Sequence, residues 1–144
     1  MKNILATIGF YDNEKLVIEK ASEIAKAFNA KVWLLHVVSP EPEFVGFGVG
    51  PQYVRDARAT ELKKEHRMIN EYADELKTEG VQAEGLLIKG STIEMIMQEA
   101  EKLEIDLIVT GHHDHNFVYK AFYGSVASGV INKTKIPVLL VPLK

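Results

Sequence analysis

Short apolar runs alternate with segments of helical periodicity along the whole chain. The run Lys31–Val38 is apolar at nearly every position, which indicates a strand covered on both faces. Strand and helix patterns that alternate in this way are typical of a parallel α/β sheet. We predict five strands, at Asn3–Ile8, Lys31–Val38, Gln82–Ile88, Ile105–Thr110 and Ile136–Val141.

Four helices are predicted between these strands. The first carries a stripe with a period near 3.6 residues, made of Leu16, Val17, Ala21, Ile24, Ala25 and Phe28. The others are placed at about Tyr53 to Thr78, from Ser91 onward, and at Ser125–Lys133. Asp12 or Asn13 is expected to cap the first helix, and Gly80 to end the second. The segment Ser91-Thr92-Ile93-Glu94 has the pattern of a capping box.

This order of elements predicts one doubly wound α/β domain over residues 1–144, with a five-stranded, mainly parallel sheet. Ligands bind such sheets in a crevice at the carboxyl ends of the strands, where the strand order reverses. The loops expected at this crevice are Gly9–Asn13, Ser39–Gly50, Lys89–Ser91 and Gly111–Ser125.

Composition narrows the class of protein. The net charge of −3 argues against a nucleic-acid-binding surface, which needs clustered Lys and Arg. The absence of cysteine excludes disulfides, thiolate catalysis and Cys-ligated metal sites. No apolar run approaches the length of a membrane span, and the N-terminal run Ile4 to Ile8 is too short for a signal-peptide core. We therefore expect a cytoplasmic protein without nucleic-acid or membrane partners.

The stretch from Asp106 to Val126 carries the most specific pattern. An apolar run leads into Gly111-His112-His113-Asp114, and nine residues later Gly124-Ser125-Val126 opens a helix. Backbone N–H groups at a helix start, together with the helix dipole, form an anion site. The pattern predicts a buried strand, a loop that begins at Gly111, and a phosphate-sized anion site at the second glycine pair.

This spacing resembles the nucleotide-binding signature of the universal stress protein family, G-x2-G-x9-G-[ST]. The likeness extends over the whole chain and includes the first strand, the second strand ending at Val38, Lys89-Gly90, and the run Pro137–Val141. It implies the strand order 3-2-1-4-5 of the adenine-nucleotide alpha-hydrolase-like folds. It also implies a cytoplasmic homodimer formed through the last strand, Ile136 to Val141.

The resemblance further implies a binding site for ATP or AMP, with Mg or Mn if a nucleotide is bound. In family members that bind ATP, the backbone of Val37 would hold the adenine, and an acidic residue ending strand one would bind the ribose. Glycines of the last loop and the helix start would hold the phosphates. The candidate site residues are Thr7, Gly9, Val37, Gly111, Asp114, Gly124, Ser125 and Val126.

Two of these residues depart from the family pattern. Gly9 stands where the ribose carboxylate is expected, and Asp114 replaces the second loop glycine. Asp can adopt the left-handed conformation, so the fold is expected to tolerate it. A carboxylate about 5 Å from a phosphate charge, however, costs roughly 3 kcal/mol at an effective dielectric near 20 and under about 1 kcal/mol in bulk water. Costs between these limits correspond to about ten- to hundredfold weaker binding.

We therefore favour a regulatory module with a degenerate ATP site, weak or lost, that acts through its dimer surface and the Ser39–Gly50 segment on a protein partner. The alternative is a functional ATP or AMP sensor, in which Asp114 helps to hold a divalent cation. No catalytic residue is predicted, because the chain offers no evident base or arginine finger for more than a slow ATPase.

Two other interpretations of the same loop are weaker. The sequence His112-His113-Asp114-His115 contains good metal ligands, but adjacent residues rarely converge on one ion, so no metal site is predicted. Ser125 with a nearby His and Asp114 could be drawn as a hydrolase triad. The G-x-S-x-G turn of such enzymes is absent, and Ser125 is expected to cap its helix or to contact phosphate.

Overall fold

The computed structural model of the chain describes residues 1–38, 52–112 and 125–143. Strands and helices alternate in it, as the sequence predicts. Within the described ranges the elements are β1 (Asn3–Thr7), α1 (Lys15–Phe28), β2 (Lys31–Val38), α2 (Gln52–Thr78), β3 (Ala83–Lys89), α3 (Thr92–Lys102), β4 (Leu107–His112), α4 (Ser125–Lys133) and β5 (Val138–Pro142).

The five strands form one sheet with the order β3-β2-β1-β4-β5, and every neighbouring pair is parallel. Thr7 at the end of β1 pairs with Leu35, and Ile4 pairs with Leu107 on the other side. The chain moves from β1 outward to β2 and β3, then returns beside β1 as β4. This confirms the predicted doubly wound fold and places its switch point between the carboxyl ends of β1 and β4.

Both faces of the sheet are covered by helices. Successive side chains of a strand point to opposite faces, so Ile4 packs with Ile69 on the α1 and α2 side, whereas Leu5 packs with Ile96 and Val130 on the α3 and α4 side. Burial of each such aliphatic side chain contributes about 1.5–3 kcal/mol. Within the described ranges no helix combines the length and apolarity that crossing a membrane requires.

The helix starts differ from the sequence prediction. Helix α1 begins at Lys15, and its N-cap residue is Glu14 rather than Asp12 or Asn13. Asn13 instead adopts a left-handed conformation with a φ of 65°, which turns the chain into the helix. Ser91 precedes α3 as expected, but its side chain makes no capping hydrogen bond. The predicted cap of α1 is therefore wrong, and the capping-box bond is not formed.

The apolar stripe of α1 is narrower than predicted. Val17, Ala21 and Ala25 are buried, whereas Leu16 is 41% and Phe28 is 56% exposed. Both residues lie at the margins of the stripe, beyond the arc of the helix that contacts the sheet. The predicted stop of α2 is confirmed at Gly80, which has a φ of 85°.

Strand boundaries shift by one or two residues, and one shift concerns the candidate site. Gly111 does not begin a loop, because β4 continues through it and pairs it with Val141. The absence of a side chain at Gly111 makes room for Leu143, which would otherwise lie 2.5 Å from a Cβ atom there. Strand β5 starts at Val138 rather than Ile136, because the Ile136 N–H donates to the Thr134 hydroxyl in the preceding turn.

Candidate functional site

A cavity of about 170 Å³ lies at the carboxyl ends of β1 and β2, next to the switch point. Helices α3 and α4, which pack on the same face of the sheet, contribute to its wall, together with the loop that follows β1. The lining residues are Thr7, Ile8, Gly9, Tyr11, Leu35, His36, Val37, Thr92, Ile96, Thr110 and Val126. Four of the predicted site residues, from three different elements and one loop, are thus brought together here.

Val37 presents its backbone to this cavity. The Leu35 carbonyl oxygen accepts a hydrogen bond from the Ile8 N–H, on the β1 side of the strand. The Val38 carbonyl oxygen accepts one from the Gly90 N–H, on the β3 side. Backbone groups of alternate residues in a strand point the same way. The N–H and C=O of Val37 therefore point toward β1, just beyond the point where that strand ends.

The His36 side chain ends the hydrogen-bond ladder between β1 and β2. Its Nδ1 donates to the Ile8 carbonyl oxygen at 2.7 Å. If the parallel ladder between β1 and β2 continued, this oxygen would accept a hydrogen bond from the Val37 N–H. Its Nε2 lies 3.3 Å from a carboxylate oxygen of Glu65 on α2, and its ring meets the Phe10 ring edge-on at 4.7 Å. The imidazole thus binds the acceptor that the Val37 N–H would otherwise use.

Below the cavity, two threonines join β1 to β4. The Thr7 hydroxyl donates to the Thr110 hydroxyl at 2.7 Å, and both side chains are buried. A buried hydrogen bond of this kind contributes about 1 kcal/mol and fixes both rotamers. The base of the crevice is therefore a rigid pair of strand ends.

Tyr11 lies across the switch point. A Cβ atom built on Gly9 would come within 2.6 Å of Tyr11 Cδ1, so the ring lies directly against the Gly9 backbone. A Cβ atom on Gly111 would lie 2.6 Å from the Tyr11 hydroxyl oxygen. The side chain therefore reaches from the end of β1 to the end of β4, and any side chain at position 9 would displace it.

Glu14 fixes the loop that carries Tyr11. Its side chain is 2% exposed, and its Oε1 accepts hydrogen bonds from the backbone N–H groups of Gly9 and Phe10. Burial raises the pKa of Glu14 from its usual 4.5 to about 7, although both N–H groups and the Tyr72 hydroxyl act to lower it. Phe10 has a φ of 59°, a strained value for a residue with a side chain.

The remaining predicted residues lie around this cavity or outside the described ranges. Gly111 borders Tyr11 and Leu143. Ser125 is the first residue of α4, whereas Asp114, Gly124 and the adjacent His113 and His115 fall outside the described residues. The binding role of every predicted site residue stays a prediction.

Tyr11, Glu14 and His36 were not predicted as parts of the site. One signal for Tyr11 was available, because an aromatic residue in the Gly9–Asn13 loop must lie near the crevice. No such signal exists for Glu14, because the contacts of its carboxyl with the Gly9 and Phe10 N–H groups and with Tyr72 form only in the folded chain.

A larger groove of about 550 Å³ lies between α1 and α2. Its walls are mainly charged side chains, and they include the Lys26–Glu79 pair at 3.8 Å and the hydrogen bond from Ser22 to Glu79 at 3.1 Å. The groove does not include any residue of the strand ends. The described part of the chain also contains no cluster of three or more His, Asp or Glu side chains placed to hold a metal ion.

The family model of the universal stress protein family matches residues 1–142. The chain belongs to this family. A curated relative, universal stress protein A homolog 1 of Coxiella burnetii, is 29% identical over 143 residues, which cover 99% of this chain and 97% of the relative. Universal stress protein YxiE of Bacillus subtilis is 30% identical over 143 residues, with 96% of this chain and 97% of YxiE covered.

Solved structures share the fold of this universal stress protein. The hypothetical protein MJ0577 superimposes with a TM-score of 0.82 at 23% identity, over 99% of this chain and 96% of that one. A universal stress protein family protein of Arabidopsis thaliana, solved with AMP bound, has a TM-score of 0.71 at 18% identity, over 100% and 93% of the two chains. At these identities the likeness shows the fold alone.

Proposed function

We propose that this universal stress protein is a cytoplasmic regulatory module with a degenerate nucleotide site. The observation that carries the proposal is the position of Tyr11 between Gly9 and Gly111. The cavity that remains, about 170 Å³, is smaller than the roughly 300–1,000 Å³ of pockets that hold drug-sized ligands. It suits a purine base better than a complete nucleotide.

The charges around the crevice support the same proposal. No carboxylate is present at position 9. The Asp12 side chain in the same loop is exposed, and the Glu14 carboxylate that follows it already accepts two backbone N–H groups. Asp114 would add a negative charge where the resemblance implies phosphates. ATP would therefore lose an anchor for its sugar and meet repulsion at its phosphates.

Two observations favour an adenine ligand over other small molecules. The backbone of Val37 offers one donor and one acceptor next to an apolar wall of Leu35, Ile96 and Val126. Related structures of the family are described in complex with cAMP, with dAMP and with AMP. A functional ATP or AMP sensor is the second candidate, and the Gly124-Ser125 pair of the signature favours it.

Thermal unfolding with nucleotide separates these two candidates. At about 1 mM ATP, a Kd near 1 mM adds about 0.4 kcal/mol of stability, whereas a Kd near 1 μM adds about 4 kcal/mol. For a domain of this size these values correspond to Tm shifts of about 1–2 °C and about 10 °C. We expect the smaller shift, with or without Mg²⁺ or Mn²⁺. A shift near 10 °C would establish the sensor and refute the degenerate site.

We also propose that the protein forms a homodimer through β5. This strand lies at the edge of the sheet, and Leu140 on it is 38% exposed. An apolar edge strand of this kind favours pairing with a second copy.

Leu140→Glu is expected to convert the dimer into a monomer, because it places a charge in the apolar interface. Leu16→Glu is the matched control, since Leu16 is similarly exposed but lies on α1. Light scattering coupled to size-exclusion chromatography gives the mass of each variant. A Leu140→Glu dimer, or loss of the dimer in both variants, would place the interface elsewhere.

A further inference from the structure

The Tyr11 side chain is held in the crevice by buried contacts of its own loop. Phe10 and Tyr11 both pack against the core cluster on the α1 and α2 side of the sheet. The Glu14 carboxyl binds the backbone on the N-terminal side of Tyr11, at Gly9 and Phe10. The Phe10 ring contacts His36, which is itself bound to Ile8. These contacts come from the N-cap residue of α1, from β2 and from the residue that follows β1.

Tyr11 occupies the part of the crevice next to Gly9. The open cavity reaches from Val37 on β2 to Thr110 on β4. The ring of Tyr11 lies against the Gly9 backbone, and its hydroxyl lies next to Gly111. A ligand whose base binds Val37 and whose sugar extends to position 9, where the resemblance implies the sugar anchor, must therefore meet Tyr11.

We propose that Tyr11 is a specificity-determining residue that admits a free purine base to the crevice and excludes a sugar attached to that base. The inference rests on the proposed base-binding function of this site. Nucleoside sites normally bind the nucleoside more tightly than the free base, because the sugar adds hydrogen bonds. The inference predicts the opposite order for this crevice. Here the sugar would have to displace a packed aromatic side chain before it could form any such bond.

Calorimetric titration of the wild type and of Tyr11→Ser with adenine, adenosine and AMP tests this inference. We expect the wild type to bind adenine at least as tightly as adenosine. Tyr11→Ser should bind adenosine about tenfold more tightly than the wild type does, while its adenine affinity stays within about threefold. Tyr11→Phe keeps the ring and should behave like the wild type. Phe28→Ser is a matched control, because it removes an exposed aromatic side chain on α1.

The outcomes separate the inference from the function on which it rests. A wild type that binds adenosine about tenfold more tightly than adenine would overturn the inference and leave the base site intact. The same holds if Tyr11→Ser binds adenine normally but gains nothing for adenosine. Absence of adenine binding in all folded variants would overturn the proposed function itself. Circular dichroism of each variant establishes that it is folded.

Discussion

The triple variant Gly9→Asp/Tyr11→Ser/Asp114→Gly is expected to bind ATP about a hundredfold or more tightly than the wild type. Removal of the Asp114 charge accounts for about ten- to hundredfold. A carboxylate at position 9 adds a hydrogen-bonded anchor of about 1–3 kcal/mol for the sugar. Tyr11→Ser provides the space, because a side chain at position 9 collides with the Tyr11 ring. Calorimetric titration with Mg-ATP measures the gain.

The double variant Gly9→Asp/Asp114→Gly is the critical comparison. It restores both features of the family signature but keeps Tyr11 beside the new side chain. We expect it to gain much less affinity than the triple variant, and to lose about 1–3 kcal/mol of stability through overpacking. If the double variant matches the triple variant, Tyr11 does not obstruct the site. If neither variant gains affinity, Gly9 and Asp114 are not the residues that weaken it.

Glu14→Gln should stabilise the protein at alkaline pH by up to about 3 kcal/mol. The folded-state pKa of Glu14, about 7, lies above its usual value of 4.5. The carboxyl therefore contributes its full stability below pH 4.5, and this contribution is lost as the pH rises through 7. The amide of the variant would not titrate, and its carbonyl oxygen can accept both N–H groups that Glu14 Oε1 accepts now. Urea unfolding across this pH range measures the difference.

Two further variants make the test of Glu14 specific. Glu19→Gln changes an exposed glutamate on α1, so its pH profile should follow that of the wild type. Glu14→Ala leaves the N–H groups of Gly9 and Phe10 without their acceptor and should be less stable than Glu14→Gln at every pH. If the stability of Glu14→Gln falls between pH 4.5 and 7 as steeply as that of the wild type, groups other than Glu14 cause this fall.

The fold could be predicted from the sequence because its signals are local. Runs such as Lys31–Val38 are long enough to show a strand covered on both faces, and Gly80 marks a helix end by its own conformational freedom. The ends of strands and helices are harder to predict, because they depend on the residues with which they pair or pack. Gly111 belongs to β4 because Val141, 30 residues later, pairs with it. Leu16 and Phe28 fit the helical period of α1 but lie beyond its contact with the sheet.

The candidate site could be predicted only in part. Thr7, Gly9, Val37 and Val126 line one cavity because the parallel topology brings the strand ends together. The obstruction by Tyr11 could not be inferred in the same way. It requires the left-handed conformation of Phe10 and the Glu14 carboxyl, which interacts with Tyr72 from a distant part of the chain. These contacts follow from the tertiary fold and leave no periodic signal in the sequence.

The most direct test of the base site is a titration of ¹⁵N-labelled wild-type protein with adenine, followed through its backbone amide resonances. We predict saturable shifts for Val37 and for other residues that line the cavity, among them Thr7, Thr110 and Val126. The amides of the α1–α2 groove should not move. Saturable shifts confined to that groove, or no saturable shift at millimolar adenine, would contradict a base-binding crevice in this universal stress protein.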